Sequence, residues 1–588
     1  MANKSVLIGG RTVNVKGRSS FDKSFLNALT SGVGTITPIM SKLVIPSYGR
    51  VQLSAHAELP PLATDAYLRS HLKIEAFYTP ARLLTGSFQS WISGEQVYDH
   101  ANGVFARAEL PCAFITNRIS DNAPSPASLS EVFGASSLTD YFNVKFEKDE
   151  DSGSYIIPEY SEEIVQLDND TAHGLNINLL PYVNYHLLYH HFYRNKSVQL
   201  PVFAPTDVVT DGDSSVLHAY NLPFVSTLEK ARVVLGHPTI NSDGLDFQAG
   251  YGTYVVDGSS GSYCSDALLD GSSLWELRQR NYGDDYFTAA RPQAQAGNPV
   301  SVQVDVNGKF SIASLRLQNA LQEFEEVNNY ATADYVQTML ARYGVNVSNG
   351  VVQKPVVLGS ADFPMFSKGV ELNANGVSNE SRNPFVRSGQ IGAVGGRASA
   401  NGIDFTFDFD AKEPGYVMVL ATLVPEANYA SGIDHSMRIF IDRGDLTDLP
   451  CSLLEHVGDE PIMASELYAG AGNSDVFGYV QRYLWHKAGS GNQVHGLYRR
   501  GESLEAFVPQ RDFTSSPRIS LAMLTVPKSA LDDVASVAAG ISDYGVQLDC
   551  AFKVSVSEPL SESALPALSD PAREHGREVY LSNGGSTL

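Results

Sequence analysis

Residues 403–409 read Ile-Asp-Phe-Thr-Phe-Asp-Phe, a strict alternation of apolar and polar side chains. Successive side chains of a β-strand point to opposite faces, so this pattern predicts a strand with one buried face and one solvated face. The same alternation runs through residues 51–59, 72–78 and 548–554. Residues 416–424 form a continuous run of mostly apolar residues, which is typical of a strand buried on both faces. The sequence therefore predicts a mainly β protein.

The predicted strands lie far apart along the chain, so one shared sheet requires about 300 inserted residues between them. Loop-closure entropy grows only logarithmically with length, and antiparallel β architectures therefore tolerate such insertions. Helical patterns occur at 176–196, where Pro181 suits the first turn, and at 311–344. Residues 205–273 are rich in Asp, Gly and Ser, and we interpret them as an exposed, partly β variable loop.

Charge is distributed unevenly along the chain. The 588 residues include 42 Lys and Arg against 65 Asp and Glu, a net charge of −23. This net negative charge argues against a protein that binds nucleic acid with its whole surface. Any contact with nucleic acid would have to come from a short basic segment. We assign that role to residues 1–20, a basic N-terminal arm without an acid, although a short solvated terminus is an open alternative. Its candidate nucleic-acid-binding residues are Lys4, Arg11, Lys16 and Arg18.

Motifs for catalysis or cofactor binding are mostly missing from the sequence. It contains no phosphate-binding loop, nucleophile elbow or zinc-protease motif, and Gly392–Gly396 is predicted to be a flexible turn. His186 and His190 stand four residues apart on a predicted helix, but no Cys or carboxylate nearby completes a metal site. We therefore predict no catalytic residues, no metal and no cofactor, and a structural protein is favoured.

Two further expectations concern the compartment. The four cysteines are at least 99 residues apart, which predicts free thiols in a reducing environment. The N-terminus does not resemble a signal peptide, and the longest apolar run is too short to span a membrane. The sequence predicts a soluble protein made in cytoplasm.

Six short segments follow one another in the order known from a single family. They are residues 77–84 (FYTPARLL), 179–195 (LPYVNY…YRN), 285–293 (DYFTAARPQ), 314–322 (SLRLQNALQ), 413–417 (EPGYV) and 477–479 (FGY). Together they resemble the major capsid protein of the Microviridae, small icosahedral phages with circular single-stranded DNA. One departure is the place of the long variable segment, which here precedes the DYFT block instead of following it.

The resemblance implies a fold and a function. The fold would be an eight-stranded antiparallel viral jelly roll over residues 21–557, with long inter-strand insertions that carry a few helices, followed by an extended tail at 558–588. The protein would not be an enzyme. It would self-assemble, in about 60 copies, into a T=1 icosahedral capsid around a circular single-stranded DNA genome.

The resemblance also implies partners and a location. Besides other copies of itself and the genome, these would be a small basic DNA-packaging protein, a DNA pilot protein and a host-cell surface receptor. Membrane insertion is not expected. The protein would be assembled in the cytoplasm of a bacterial host and would reside in the virion.

The residues alone leave two other interpretations open. One is a β-scaffold adhesion or carbohydrate-binding module, which would form a small oligomer instead of a shell. The other is a glycosidase on a β scaffold, with a carboxylate pair drawn from acids such as Asp404, Asp408 and Glu413. Hydrolysis of a glycan would support the glycosidase, whereas formation of particles would support the capsid.

Overall fold

The structure, a computed structural model, describes most but not all of the chain. Backbone and side chains are described, apart from short gaps, for residues 19–84, 88–93, 134–145, 178–199, 277–294, 354–369, 396–441, 449–452 and 459–560. Elsewhere only the backbone of some strands is described. The predicted helical segment at 311–344 and the tail beyond residue 560 lie outside the described residues.

Two antiparallel sheets form the centre of the described chain. Their strands are β1 (Ser19–Asp22), β2 (Phe25–Ser31), β3 (Thr37–Val44), β4 (Ser47–Glu58), β5 (Ser70–Pro80), β6 (Val356–Pro364), β7 (Phe366–Leu372), β8 (Ala393–Ala411), β9 (Gly415–Pro425) and β10 (Val546–Glu558). The first sheet has the order β7-β8-β4-β10, and β1 and β2 both pair with the outer edge of β10. The second sheet has the order β6-β5-β9-β3. The mainly β prediction is confirmed.

Strands from opposite ends of the chain are direct neighbours. Leu53 of β4 lies opposite Phe552 of β10. Burial alternates along β10, and β9 is buried at every residue, as the two hydrophobic patterns predict. A single apolar cluster joins the sheets, with Leu53 and Phe407 from the first and Ile74 and Val419 from the second. Since full burial of each such side chain stabilises the fold by about 1.5–3 kcal/mol, this cluster is the principal core.

The helix predicted at Pro181 is present as α1 (Leu180–Leu188), and it continues into a π-helical turn, Tyr189–Tyr193. The Asn178 side chain, which precedes the N-cap residue Leu179, accepts a 2.9 Å hydrogen bond from the backbone N–H of Leu180, one of the first helical amides. One face of α1 packs Val183 and Leu187 against Tyr416 of β9. The helix therefore lies on the second sheet.

The glycine-rich segment 392–396 is not the flexible turn that we predicted. Residues 393–396 begin β8, and the backbone of Gly396 exchanges hydrogen bonds with Leu62 at 2.8 and 3.0 Å. A Cβ on Gly396 would overlap the carbonyl oxygen of Thr64. Gly396 allows two backbones to approach closely. Glycine occurs for this reason in strands and in turns alike, so the sequence alone does not distinguish the two.

The insertion between β9 and β10, residues 426–545, consists of short elements. Its strands are Asn428–Tyr429, Asp459–Met463, Val476–Gln481 and Asn492–Gln493. Its helical turns are His435–Met437, Ala464–Glu466, Leu484–Ala488, Gly496–Tyr498, Glu505–Phe507, Leu521–Leu524, Asp532–Val534 and Gly540–Tyr544.

The remaining elements lie before β6. The helices are Ala81–Leu83, Phe88–Ser93 and Leu138–Tyr141. The strands are Ser5–Ile8, Arg11–Asn14, Gln96–Asp99, Val104–Arg107, Cys112–Ile115, Leu175–Asn178, Thr210–Asp211, Ser214–Ser215, Arg232–Asn241, Gly244–Val256 and Tyr263–Cys264. The last five fall within the predicted variable loop 205–273, whose exposure stays a prediction because its side chains lie outside the described residues.

Candidate functional site

The predicted nucleic-acid-binding residues belong to the N-terminal arm. There Ser5–Ile8 pairs antiparallel with Arg11–Asn14, which places the backbone of Arg11 in a β-hairpin. The side chains of Lys4, Arg11, Lys16 and Arg18 lie outside the described residues. Their contact with nucleic acid therefore stays a prediction.

The three acids of the glycosidase alternative each have a partner of their own. Asp408 accepts hydrogen bonds from Nε and Nη2 of Arg50 at 2.7 and 3.0 Å, and this contact lowers the pKa of the Asp408 carboxyl. Asp404 accepts from Ser54 Oγ at 2.7 Å, and Glu413 accepts from Arg82 Nε at 2.7 Å. A general acid needs a raised pKa, whereas the contact with Arg50 lowers the pKa of Asp408. Asp408 and Arg50 instead form a cross-strand ion pair that supports the pairing of β8 with β4.

The two helix histidines are embedded in protein contacts. His186 is fully buried, and its Nδ1 accepts a 3.3 Å hydrogen bond from Nε of Arg278. Within the described ranges, no group of three or more His, Cys, Asp or Glu side chains is arranged to hold a metal ion. The two cysteines with described side chains, Cys451 and Cys550, are free thiols. Burial raises the pKa of the Cys550 thiol to about 12, which keeps it protonated and unreactive.

The Asp285–Thr288 segment forms a polar junction in the core. Asp285 Oδ1 accepts hydrogen bonds from the backbone N–H groups of Phe287 and Thr288 at 2.9 and 2.7 Å, which closes a tight turn. Its Oδ2 accepts a 2.8 Å hydrogen bond from the hydroxyl of Tyr429, and the rings of Phe287 and Tyr429 meet edge to face at 4.7 Å. The segment thus joins the β9–β10 insertion to the chain that precedes β6.

A buried charge network lies next to this junction. His435 Nε2 is 3.0 Å from Glu460 Oε1, and its Nδ1 is 3.2 Å from Glu466 Oε1. Arg438 Nη1 donates to Glu466 Oε1 at 2.7 Å, and the Tyr286 hydroxyl donates to Glu466 Oε2 at 3.1 Å. Two cations therefore balance two carboxylates, which a buried site requires.

The network fixes the protonation of His435. Burial opposes a charge on the imidazole, but its close contacts with the Glu460 and Glu466 carboxylates outweigh this effect and raise the pKa of His435 to about 9. Burial, reinforced by the charge of Glu466, raises the pKa of the Tyr286 hydroxyl. At neutral pH the imidazole is thus charged and the phenol is neutral, so the network works as a fixed structural tie.

A half-buried ion pair attaches the end of the α1 segment to the second sheet. Arg280 donates to both carboxylate oxygens of Glu75 in β5, at 2.6 and 3.1 Å. The hydroxyl of Tyr193 donates to the same carboxylate at 2.5 Å, and the Arg280 guanidinium lies 5.0 Å from the Tyr193 ring centroid. Bidentate geometry and a shared third donor make this a strong contact.

The described surface has a cleft and several exposed apolar side chains. A cleft of about 920 Å³ opens between the edge strands β2 and β3 and the helix Leu138–Tyr141. Apolar side chains that are more than half exposed include Leu26, Leu43, Tyr67, Ile92, Phe366, Met437, Ile441, Leu497 and Leu521. These residues come from many separate elements, and singly exposed apolar side chains are ordinary on protein surfaces.

Sequence reasoning missed a second basic stretch. We assigned positive charge only to residues 1–20, but residues 476–501 also contain no Asp or Glu. A count of acids along the chain also finds longer acid-free stretches, including 23–57 and 335–361, but residues 476–501 contain more Lys and Arg than either. The Lys and Arg residues of this stretch are Arg482, Lys487, Arg499 and Arg500.

Two comparisons with known proteins agree with each other. A family model described as capsid protein (F protein) matches residues 167–568, more than half of the chain. Capsid protein VP1 of Chlamydia phage 1 is 22% identical to this chain over an alignment of 580 positions. The alignment covers 86% of this chain and 88% of that protein. The stretch matched by the family model contains α1, the Asp285–Thr288 junction and β6 to β10. Among the described helices, none has the length and apolar character needed to cross a membrane.

Proposed function

Because the chain belongs to the capsid protein (F protein) family of the Microviridae, we propose that about 60 copies form a T=1 icosahedral shell around a circular single-stranded DNA genome. The protein is a structural major capsid protein and a component of the virion. The observation that carries the proposal is the family match across residues 167–568. A closed shell repeats the same contacts around its symmetry axes, so its subunits need complementary surfaces and no reaction centre. We accordingly propose no enzymatic activity.

We further propose that the two sheets are the two halves of an eight-stranded viral jelly roll. In chain order the eight strands are β2, β3, β4, β5, β6, β8, β9 and β10. The first of these pairs with the eighth, the second with the seventh, the third with the sixth and the fourth with the fifth. This nested pairing supports the proposal, because a jelly roll is one long antiparallel hairpin wrapped into two sheets.

Packaging requires partners that supply positive charge. A chain with a net charge of −23 cannot by itself neutralise DNA phosphates, since that affinity comes mainly from Lys and Arg that displace counterions. We propose that the arm residues Lys4, Arg11, Lys16 and Arg18 face the particle interior and that a small basic packaging protein supplies most of the charge. A DNA pilot protein, a host-cell receptor and assembly in the bacterial cytoplasm belong to the same proposal.

Electron microscopy and sedimentation of the full-length protein test the shell. The expected result is uniform icosahedral particles that protect single-stranded DNA from nuclease. A protein that stays monomeric in a genuine virion preparation, while another chain forms the shell, would refute the proposal. Replacing all four arm residues by Gln tests the arm, since DNA retention or particle yield should fall while the subunit keeps its fold.

A further inference from the structure

We propose that an apolar turn of one subunit inserts into a cleft of a neighbouring copy within the shell. The turn, which we call the Met437 turn, comprises residues 433–441 of the β9–β10 insertion. The cleft, which we call the β2–β3 cleft, is the one of about 920 Å³ between those two strands and the helix Leu138–Tyr141. The inference rests on the proposed shell and names one contact through which identical copies recognise each other.

The Met437 turn carries three large apolar side chains within nine residues. Met437 and Ile441 are 75% and 78% exposed, and Ile433 is 36% exposed. A single exposed apolar side chain is ordinary, but three in one short segment concentrate apolar area at one place on the surface. Burial of this area against another apolar surface would be favourable.

Contacts beneath the turn hold it in one conformation. The buried His435 side chain lies between the carboxylates of Glu460 and Glu466. The Ile433 N–H donates a 3.0 Å hydrogen bond to the carbonyl of Ser465. Side chains that a preorganised turn presents lose little conformational freedom on binding. The turn is therefore suited to anchor a contact between proteins.

The β2–β3 cleft offers a concave apolar site. Both strands lie at the edges of their sheets, so the cleft opens where the two sheets end. Leu26, from the middle of β2, is 80% exposed. Clefts of this volume that combine apolar side chains with a few polar groups are typical binding sites. The apolar side chains that line the cleft are Phe25, Leu26, Leu29, Ile39, Met40 and Leu548.

The charge of the subunit restricts where two copies can meet. Each copy carries a net charge of −23, so identical subunits repel each other wherever their local charges are not compensated. At the Met437 turn the charges cancel to within one, since two cations stand against three acids. These are His435 and Arg438 against Asp434, Glu460 and Glu466.

The charges that line the β2–β3 cleft are compensated as well. Nζ of Lys145 lies 3.7 Å from Oδ1 of Asp140. Nε of Arg397 lies 2.5 Å from Oε1 of Glu58. The other ionised side chains of the lining, Lys42 and Asp549, add one charge of each sign.

This balance identifies the partner as a second copy of the chain. DNA would require an excess of cations at the contact, and a basic packaging protein would require an excess of acids. Two nearly neutral apolar sites can instead meet between like-charged subunits without a large electrostatic cost. The turn and the cleft are different patches of one surface, so their contact can repeat around a symmetry axis of the shell.

Virions produced from a genome that carries each variant test the contact, and sedimentation separates particles from unassembled subunits. Met437→Lys should lower the yield of particles by at least about ten-fold, because it places a charge in an apolar contact. Met437→Leu is the matched control. It keeps the volume and the apolar character, so its yield should stay within about two-fold of that of the unaltered protein. Because Met437 is exposed in the subunit, neither variant should change the melting temperature of unassembled subunits.

A pair of opposite charges tests whether the turn meets this cleft. Leu26→Asp alone should also lower the yield of particles. The double variant Met437→Lys/Leu26→Asp should regain at least about three-fold over Met437→Lys, since the two charges would then face each other across the contact. A double variant that assembles no better than Met437→Lys would contradict the contact.

Cross-linking of intact particles gives an independent test. The background is Cys451→Ser, which removes an exposed thiol. Met437→Cys combined with Leu26→Cys should be linked between subunits by a short bismaleimide. Met437→Cys combined with Asp410→Cys is the control, because Asp410 is exposed on β8 outside the lining of the cleft, and this pair should stay unlinked.

The outcomes separate this inference from the proposed function. The inference is wrong if Met437→Lys forms particles normally, or if the first cysteine pair gives no more cross-linked product than its control. If Met437→Lys lowers the melting temperature of the subunit, the cross-link decides, because it is measured only in particles that have assembled. If the unaltered protein forms shells and the cross-link fails, only the inference fails. If the unaltered protein never forms shells, the proposed function fails and the inference fails with it.

Discussion

Lys23 and Glu558, which are 535 residues apart in the chain, form an ion pair with a 2.6 Å distance between Nζ and Oε1. The pair closes the outer edge of the first sheet, where β1 and β2 meet β10. The Glu558 side chain is only 3% exposed, while that of Lys23 is 47% exposed. The carboxylate thus depends on this ammonium much more than the ammonium depends on the carboxylate.

Lys23→Ala should destabilise the subunit by about 1–2 kcal/mol, because it leaves the Glu558 carboxylate buried without its cation. Adding Glu558→Gln should restore part of that loss, since a neutral amide is cheaper to bury. Denaturant unfolding of the two variants is the measurement. Equal stability of Lys23→Ala and the unaltered protein would show that the pair contributes nothing.

The His435 network should make stability depend on pH in the alkaline range. The pKa of His435 is raised in the folded state to about 9, from an ordinary value near 6.5. Its contribution is therefore complete below pH 6.5 and is lost as the pH rises through 9, by up to about 3 kcal/mol. Melting temperatures between pH 6 and 10 should fall for the unaltered protein, and less steeply for His435→Gln. Parallel curves for the two proteins would contradict this assignment.

Arg280→Met should destabilise the subunit. It leaves the half-buried Glu75 carboxylate without its cation, which should cost about 1–3 kcal/mol. The double variant Arg280→Met/Glu75→Leu removes both charges and should be more stable than the single variant. Thermal unfolding of both proteins checks the order, and the reverse order would refute it.

Gly396→Ala should destabilise the fold by about 1–3 kcal/mol, because the new methyl group would overlap the Thr64 carbonyl. Gly283→Ala is the matched control, since a Cβ at Gly283 meets nothing within 4 Å. The comparison is made by thermal unfolding. Similar losses for both alanine variants would mean that the close approach at Gly396 is not what matters.

Residues 205–273 should form much of the outer surface of the particle. Their Asp-, Gly- and Ser-rich composition is typical of a solvent-facing loop on a rigid scaffold. Limited proteolysis of intact particles should cut this segment before it cuts α1. Full protection of 205–273, with cleavage confined to other regions, would contradict the prediction.

Sequence alone was sufficient for the features that depend on near neighbours. The alternation at 403–409 and the apolar run at 416–424 predict strands correctly, because the hydrophobic pattern of a strand can be recognised within a few consecutive residues. The order of the strands does not follow from such patterns, because β2 and β4 could bury the same faces next to several different neighbouring strands. Only the structure places β10 between them.

The polar sites needed more than sequence. His435, Glu460 and Glu466 are separated by 25 and 6 residues, a spacing that matches no motif, and only the turns of the insertion bring them together. The rings of Tyr67 and Tyr498, whose centroids are 6.2 Å apart, likewise come from two distant segments. The acid-free stretch 476–501, by contrast, was readable from the residues.

The pairing of Leu53 with Phe552 also means that β4 is translated long before its partner strand β10. At about 5–20 residues per second, a ribosome needs roughly 25 to 100 s to travel from one to the other. Throughout that interval β4 exists without its central partner, and the apolar face that it shares with β10 has no cover from that strand. The nascent subunit is thus exposed to aggregation for most of its translation, and chaperones or early-bound assembly partners have that interval in which to act.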